Sequence, residues 1–225
     1  DEKKQILLEK NLHISSSLAE ILTRKNLDEN SAKLFLNPTK IPYHDPFLLK
    51  DMEKACQRLL LALKNKEKIC IYGDYDVDGV SSTALLMTVF TKLGFNIDYY
   101  LPDRHSEGYG LHIESLQKLI PKYDLLITVD CGITALDEVD YAKDKIDMII
   151  TDHHLPREIL PDAFAIINPT QTQCNYPNKN LCGVGVAFKL CQGLYQSLNK
   201  DIHELENYLD IVALGTIADI VPLVD

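Results

Sequence analysis

Apolar residues recur at two different spacings along this chain, and the change falls near Lys68. The first 40 residues or so mix polar and apolar positions in a helical pattern, until Asn37-Pro38 and the stretch from Pro42 to Pro46 break the chain. Met52, Ala55, Cys56, Leu59, Leu60 and Leu63 then fall on one face of a helix for which Asp51 supplies a cap. Beyond Lys68, short apolar runs bounded by turn residues predict strands over 69–72, 97–101, 125–129, 148–151 and 163–167. Helices are predicted between and after them, over 81–93, 113–120, 134–141, 184–198 and 202–220, the last stopped by Pro222. Such alternation means βαβ units. The expected fold is α/β: a doubly wound, mainly parallel sheet with helices on both faces, preceded by a short helical N-terminal segment over 1–50, with the sheet domain over 51–225.

Composition changes this picture little. Apolar residues make up 46% and charged residues 25%, as in ordinary compact domains, so disorder is excluded. No apolar run reaches the roughly 18–20 residues that span a bilayer, and Asp1-Glu2-Lys3-Lys4 lacks the apolar stretch of a signal peptide, so a cytoplasmic location without membrane contact is expected. The chain starts without Met and stops directly after a structured-looking segment, which suggests a piece of a larger protein. The six cysteines form no Cys-x-x-Cys pair and read as structural thiols; Cys174 and Cys182 match no common zinc spacing.

The net charge of −10 at first argues against nucleic acid. Its distribution matters more. Residues 1–65 hold 11 Lys/Arg against 9 Asp/Glu, whereas residues 66–225 hold 12 against 24. The acidity therefore lies in the sheet region, where bound cations would offset it.

The first candidate motif is a buried strand running into Gly73-Asp74-Tyr75-Asp76-Val77-Asp78-Gly79. An EF-hand would need Glu where Leu85 stands and a helix where the strand lies, so that reading fails. Asp130 follows the third strand and Asp152-His153-His154 follows the fourth. Parallel sheets gather such strand ends on one edge. Clustered carboxylates repel unless a cation lies between them. Oxygen ligands with imidazole suit manganese, with magnesium the alternative, and two ions about 3.5–4 Å apart are the usual arrangement for phosphoryl chemistry. Near the end, Asp210 and Asp219 are nine positions apart, on opposite faces of a continuous helix. Asp219 is the better ligand and Asp210 the better cap or hydrogen-bond partner.

Taken in order, these motifs together with Pro102-Asp103-Arg104-His105-Ser106-Glu107-Gly108-Tyr109-Gly110-Leu111, Gly183-Val184-Gly185-Val186-Ala187-Phe188 and Gly215-Thr216-Ile217-Ala218-Asp219 resemble the catalytic DHH domain of the RecJ family of single-strand-specific exonucleases. The resemblance runs from about Asp45 to the end. It implies that Asp76, Asp78, Asp130, His153 and Asp219 hold two divalent ions, manganese preferred and magnesium possible, with Asp74 an extra ligand or an orienting group. His154 would face the scissile phosphate as acid or electrostatic stabiliser, with Asp130 and Asp152 supporting the chemistry. Arg104 and His105 are candidates for phosphate or strand contact, a loop arginine in a surface salt bridge being the other reading. Some relatives carry His at the place of Tyr72, which would cost the first metal an imidazole. The 183–188 segment is no dinucleotide fingerprint and reads as tight packing at a helix start.

The implied activity is hydrolysis of single-stranded DNA from the 5′ end to 5′-mononucleotides, in repair and recombination. The implied partners are single-stranded DNA, a single-strand-binding protein and a RecQ-like helicase, with the enzyme a monomer. The family's DHH-associated and oligonucleotide-binding domains do not fit in 225 residues, so this chain is expected to hold metals and bind DNA poorly. Two rivals remain: a DHH phosphoesterase acting on very short oligonucleotides, cyclic dinucleotides or pyrophosphate, and a non-catalytic scaffold. His13, His44, His112 and His203 read as surface or packing residues.

Overall fold

The computed structural model describes residues 1–38, 42–104 and 106–223. His105 therefore lies outside the described residues. The chain divides into two compact units, Asp1–His44 and Asp45–Asp225. In the first, α1 (Glu2–Leu12), α2 (Ser16–Arg24) and α3 (Glu29–Leu36) each start at a side-chain cap, Asp1, Ser15 and Asp28. They enclose a small core of Leu8, Ala19, Leu22 and Ala32.

The second unit opens with a 3-10 turn (Pro46–Leu48) and α4 (Met52–Asn65), then alternates strand and helix. Its elements are β1 (Lys68–Tyr72), α5 (Val77–Leu93), β2 (Asn96–Tyr100), α6 (Ile113–Leu119), β3 (Leu125–Val129), α7 (Leu136–Ala142), β4 (Asp147–Thr151), β5 (Ala165–Ile167), α8 (Gly183–Ser197) and α9 (Leu209–Ala218). The five strands form one sheet in the order β2-β1-β3-β4-β5, and every pairing is parallel. Burial explains why β1, β3, β4 and β5 read as apolar runs, whereas β2, at the sheet edge, is only partly buried and carries Asn96 and Asp98.

Period two assigns the faces. Cys70, Tyr72, Leu126, Met148, Ile150 and Ile166 pack with Leu116 and Leu119 of α6 and Val139 and Ala142 of α7. The alternate set, including Ile69, Ile71, Leu125, Ile127, Val129 and Ile149, is also buried and faces the side of α4, α5 and α8. This is a doubly wound α/β sheet. Strand order reverses between β1 and β3, and a crevice at the carboxyl ends of those strands is where such sheets bind ligands.

Two elements differ from the sequence expectation by more than two residues. Helix α5 begins at Val77 rather than Ser81, because the Asp76 carboxylate accepts from the Gly79 amide at 2.9 Å and caps it. The expected 202–220 helix is a 3-10 segment (Ile202–Tyr208) followed by α9. Among the described residues, no helix is long and apolar enough to cross a membrane.

Helix α5 carries the motif that follows β1, so its packing holds that motif in place. Phe90 on α5 is fully buried and stacks on Phe95, ring centroids 4.8 Å apart. Phe90→Ala is expected to lower the unfolding free energy by about 3–5 kcal/mol. Urea unfolding of the metal-free protein measures it; a loss below about 1 kcal/mol would contradict this packing account.

Candidate metal centre

Each sheet strand from β1 to β4, β2 excepted, ends in a group that reaches one place. Asp74 and the α5 cap Asp76 follow β1, and Asp78 sits in the first turn of α5. Asp130 follows β3 with a left-handed backbone, φ 61°. His153 and His154 follow β4, and Asp219 stands at the end of α9. His153 Nε2 lies 3.1 Å from Asp130 Oδ1, 3.7 Å from Asp219 Oδ2 and 3.8 Å from Asp78 Oδ2. Three overlapping donor sets have ligand atoms within 4.8 Å of one another: Asp78, His153 and Asp219; Asp74, Asp76 and Asp130; and Asp130, His153 and His154.

The donors fit a divalent cation on two grounds. Asp130 Oδ1, His153 Nε2 and Asp74 Oδ1 are buried polar atoms that complete no hydrogen bond, the first two despite their 3.1 Å approach, which is costly in a folded protein unless something else satisfies them. The charges agree. Burial, followed by the nearby Asp78, Asp76 and Asp152, pushes the Asp130 carboxyl up to about 10, and burial also raises Asp74 and Asp78. A mixed set of carboxylate oxygens and imidazole is the chemistry that manganese or magnesium accepts.

Asp152 differs from its neighbours. Its Oδ1 accepts from the His153 amide (2.7 Å), the His154 amide (3.1 Å) and His154 Nδ1 (2.8 Å), and its Oδ2 from the Ile133 amide (2.9 Å). Burial alone would raise this carboxyl, but those bonds and the His154 ring hold it below the ordinary value. The same contact raises the His154 imidazole. With Nδ1 occupied by Asp152, His154 keeps Nε2 for another partner.

Some supports had no local signal in the sequence. The Asp78 oxygens accept from the Gly183 and Val184 amides, at 2.6 and 2.8 Å, so the N-terminus of α8 clamps this carboxylate. Gly183 is required there, since a Cβ would meet Asp130 Oδ1 at 2.7 Å. Tight packing at a helix start describes this segment, but its object is the acidic cluster. Asn168, fully buried just after β5, donates to the His154 carbonyl at 2.9 Å and fixes the turn; a polar residue at a fifth strand end was its signal.

Other sequence candidates lie elsewhere. Tyr72 is buried on the α6/α7 face and donates to the Gly110 carbonyl at 3.0 Å, so its phenol does not replace an imidazole in the cluster. Asp210 is exposed and accepts from the Ile211 amide. Arg104 is exposed at the rim, its guanidinium 5.4 Å from the Tyr75 ring centroid. The cysteines are all free, and Cys182 contacts Thr216 at 3.3 Å.

The chain is similar to known proteins in sequence and in fold. The profile of the DHH family, N-terminal domain, matches residues 68–216. A "Single-stranded-DNA-specific exonuclease RecJ" from Bacillus subtilis is 44% identical over all of this chain, which spans 28% of that relative's length. A crystal structure of an exonuclease RecJ bound to manganese superposes with a TM-score of 0.73 at 35% identity, covering 81% of this chain and 46% of that one. A RecJ in complex with Mn2+ from Thermus thermophilus gives 0.79 at 28% identity, covering 99% of this chain and 31% of that one.

The raised Asp130 carboxyl sets a pH dependence. A carboxyl raised in the fold contributes stability that is full below its ordinary value of 3.8 and is lost as pH rises towards about 10. The metal-free protein in chelator is therefore expected to melt at a lower temperature at about pH 9 than at about pH 6, and Asp130→Asn to flatten that slope. Thermal melts at the two pH values check this; a stability that rises with pH would refute it. Gly183→Ala is expected to weaken manganese binding by displacing Asp130, measured by calorimetry.

Proposed function

The chain belongs to the DHH family, and from that premise we propose that its carboxylate and imidazole cluster holds two divalent ions, manganese preferred over magnesium, and hydrolyses single-stranded DNA from the 5′ end. The observation that carries this is the convergence of buried, unpartnered donor atoms from Asp74, Asp130 and His153 at the switch point of a parallel sheet. The Bacillus subtilis relative, named a single-stranded-DNA-specific exonuclease, is similar over the whole of this chain. Because the chain spans under a third of that relative's length, the activity of the longer protein is part of the proposal.

The residues divide the work. One donor set is Asp78, His153 and Asp219, and another is Asp74, Asp76 and Asp130. Asp130 also belongs to the third set, beside His153 and His154, so it would lie within reach of both of the other donor sets. When bound, such ions supply Lewis acidity and lower the pKa of water. Asp152 sets the tautomer and orientation of His154 through Nδ1, leaving Nε2 to meet the scissile phosphate or the leaving oxygen. Arg104, exposed beside Tyr75, would contact a phosphate.

His154→Ala is expected to lower kcat by about 10²–10⁴-fold with manganese affinity nearly unchanged, whereas Asp130→Ala abolishes both. The test incubates the protein, manganese and a 5′-phosphorylated single strand at saturating concentration, beside a dinucleotide. Release of 5′-mononucleotides from the long strand supports the reading. Metal binding without any nucleotide release overturns it, and activity confined to the dinucleotide points to a short-substrate phosphoesterase.

A further inference from the structure

The segment between β2 and α6 is held by a set of hydrogen bonds that the reading above does not use. Asp103 closes its first turn: Oδ1 accepts from the Ser106 amide and hydroxyl, each at 2.9 Å, and the Asp103 carbonyl accepts from the Glu107 amide at 2.9 Å. The Glu107 side chain then turns back towards the sheet. Its two oxygens accept from the Tyr100 phenol at 2.6 and 2.7 Å, and the Ser115 hydroxyl, itself buried, lies 3.2 Å from that phenol and 3.5 Å from Glu107 Oε2. Three residues on, the Gly110 carbonyl accepts from Tyr72. Tyr72 and Tyr100 are register partners at the ends of β1 and β2, their ring centroids 5.3 Å apart.

The segment is thus fastened at two points to one aromatic pair at the carboxyl edge of the sheet. From the first fastening to the second, Gly108 and then Gly110 itself take φ of 83° and 89°, a conformation costly for other residues. The double reversal sends Tyr109 the opposite way from Glu107. Tyr109 is half exposed, and its hydroxyl is 3.4 Å from His154 Nδ1 and 3.5 Å from Nε2. With Nδ1 already paired to Asp152, the phenol is a neighbour for the free edge of the imidazole. Arg104, at the start of the same segment, lies over Tyr75, between Asp74 and Asp76.

We propose that Glu107 is a positioning residue: its carboxylate, bound by Tyr100 and Ser115, fixes the segment that carries Arg104 and Tyr109, so that both meet the phosphate and nucleotide held at the metal centre. A phenol bonded to a carboxylate at 2.6 Å is a charge-assisted hydrogen bond and orders a loop better than neutral contacts do. Glu107 touches no substrate itself. The inference rests on the phosphodiesterase reading of the same site.

The test compares Glu107→Ala, Glu107→Gln and Tyr100→Phe with the parent chain. Loss of the clamp in Glu107→Ala is expected to lower kcat/KM on a single strand by about 10- to 100-fold, while manganese affinity and melting temperature stay at the parent values. Amide exchange over 106–110 should accelerate, Tyr100→Phe should shift in the same direction, and Glu107→Gln, which keeps an acceptor, should recover most of the loss. Unchanged kinetics and exchange in Glu107→Ala would overturn the proposal, as would a matching loss of metal affinity and melting temperature. Exchange, and binding of a 5′-phosphorylated phosphorothioate strand, need no turnover. A parent that cleaves nothing therefore sinks the functional reading, while weaker strand binding with faster exchange in Glu107→Ala supports the clamp and unaltered values overturn it.

Discussion

Repulsion among buried carboxylates is the constraint around which this structure is arranged. Asp74, Asp78 and Asp130 are almost completely buried at one edge of a sheet, and neighbouring acids push the Asp130 carboxyl far up. No apolar packing gain requires such a cluster, and each charge there works against folding unless a proton or cation offsets it. The fold nonetheless spends several elements on holding the cluster together. Helix α5 is capped by one of its acids, α8 points its N-terminal amides at another, and α9 ends on a third. That investment makes sense for a cation centre.

A second device separates the two histidines. His153 is aimed at the carboxylates, whereas His154 is drawn aside by Asp152, whose carboxyl is held below its ordinary value. Adjacent residues on one turn therefore meet different groups, His153 the carboxylate cluster and His154 Asp152 and Tyr109. Asn168 holds the carbonyl of the same turn from the neighbouring strand. The tyrosine and glutamate fastenings on the β2–α6 segment extend this support to the rim.

Much of this was legible in the sequence because its signals are local. Apolar runs ending in Asp, or in Asp-His-His, reveal both the strand and the group at its end, and a parallel sheet fixes the edge at which those groups meet. The start of α5 was misplaced because Asp76-Val77-Asp78-Gly79 looks like a turn while Asp76 is also a helix cap. Tyr72 shares a face with Cys70 by simple alternation, so its burial on the α6/α7 side follows from β1 alone. The clamp of α8 on Asp78 joins residues 105 apart in the chain, and the Tyr100–Glu107 bond joins a strand end to an irregular segment; neither has a periodic signature.

The central claim is that the cluster exists to exchange protons for metal. Calorimetric titration of the chain with manganese in two buffers of different ionisation enthalpy counts both ions bound and protons released. The account predicts two ions per chain and net proton release at neutral pH, with the release much reduced in Asp130→Asn. Binding without proton release, or no saturable binding at all, would contradict it.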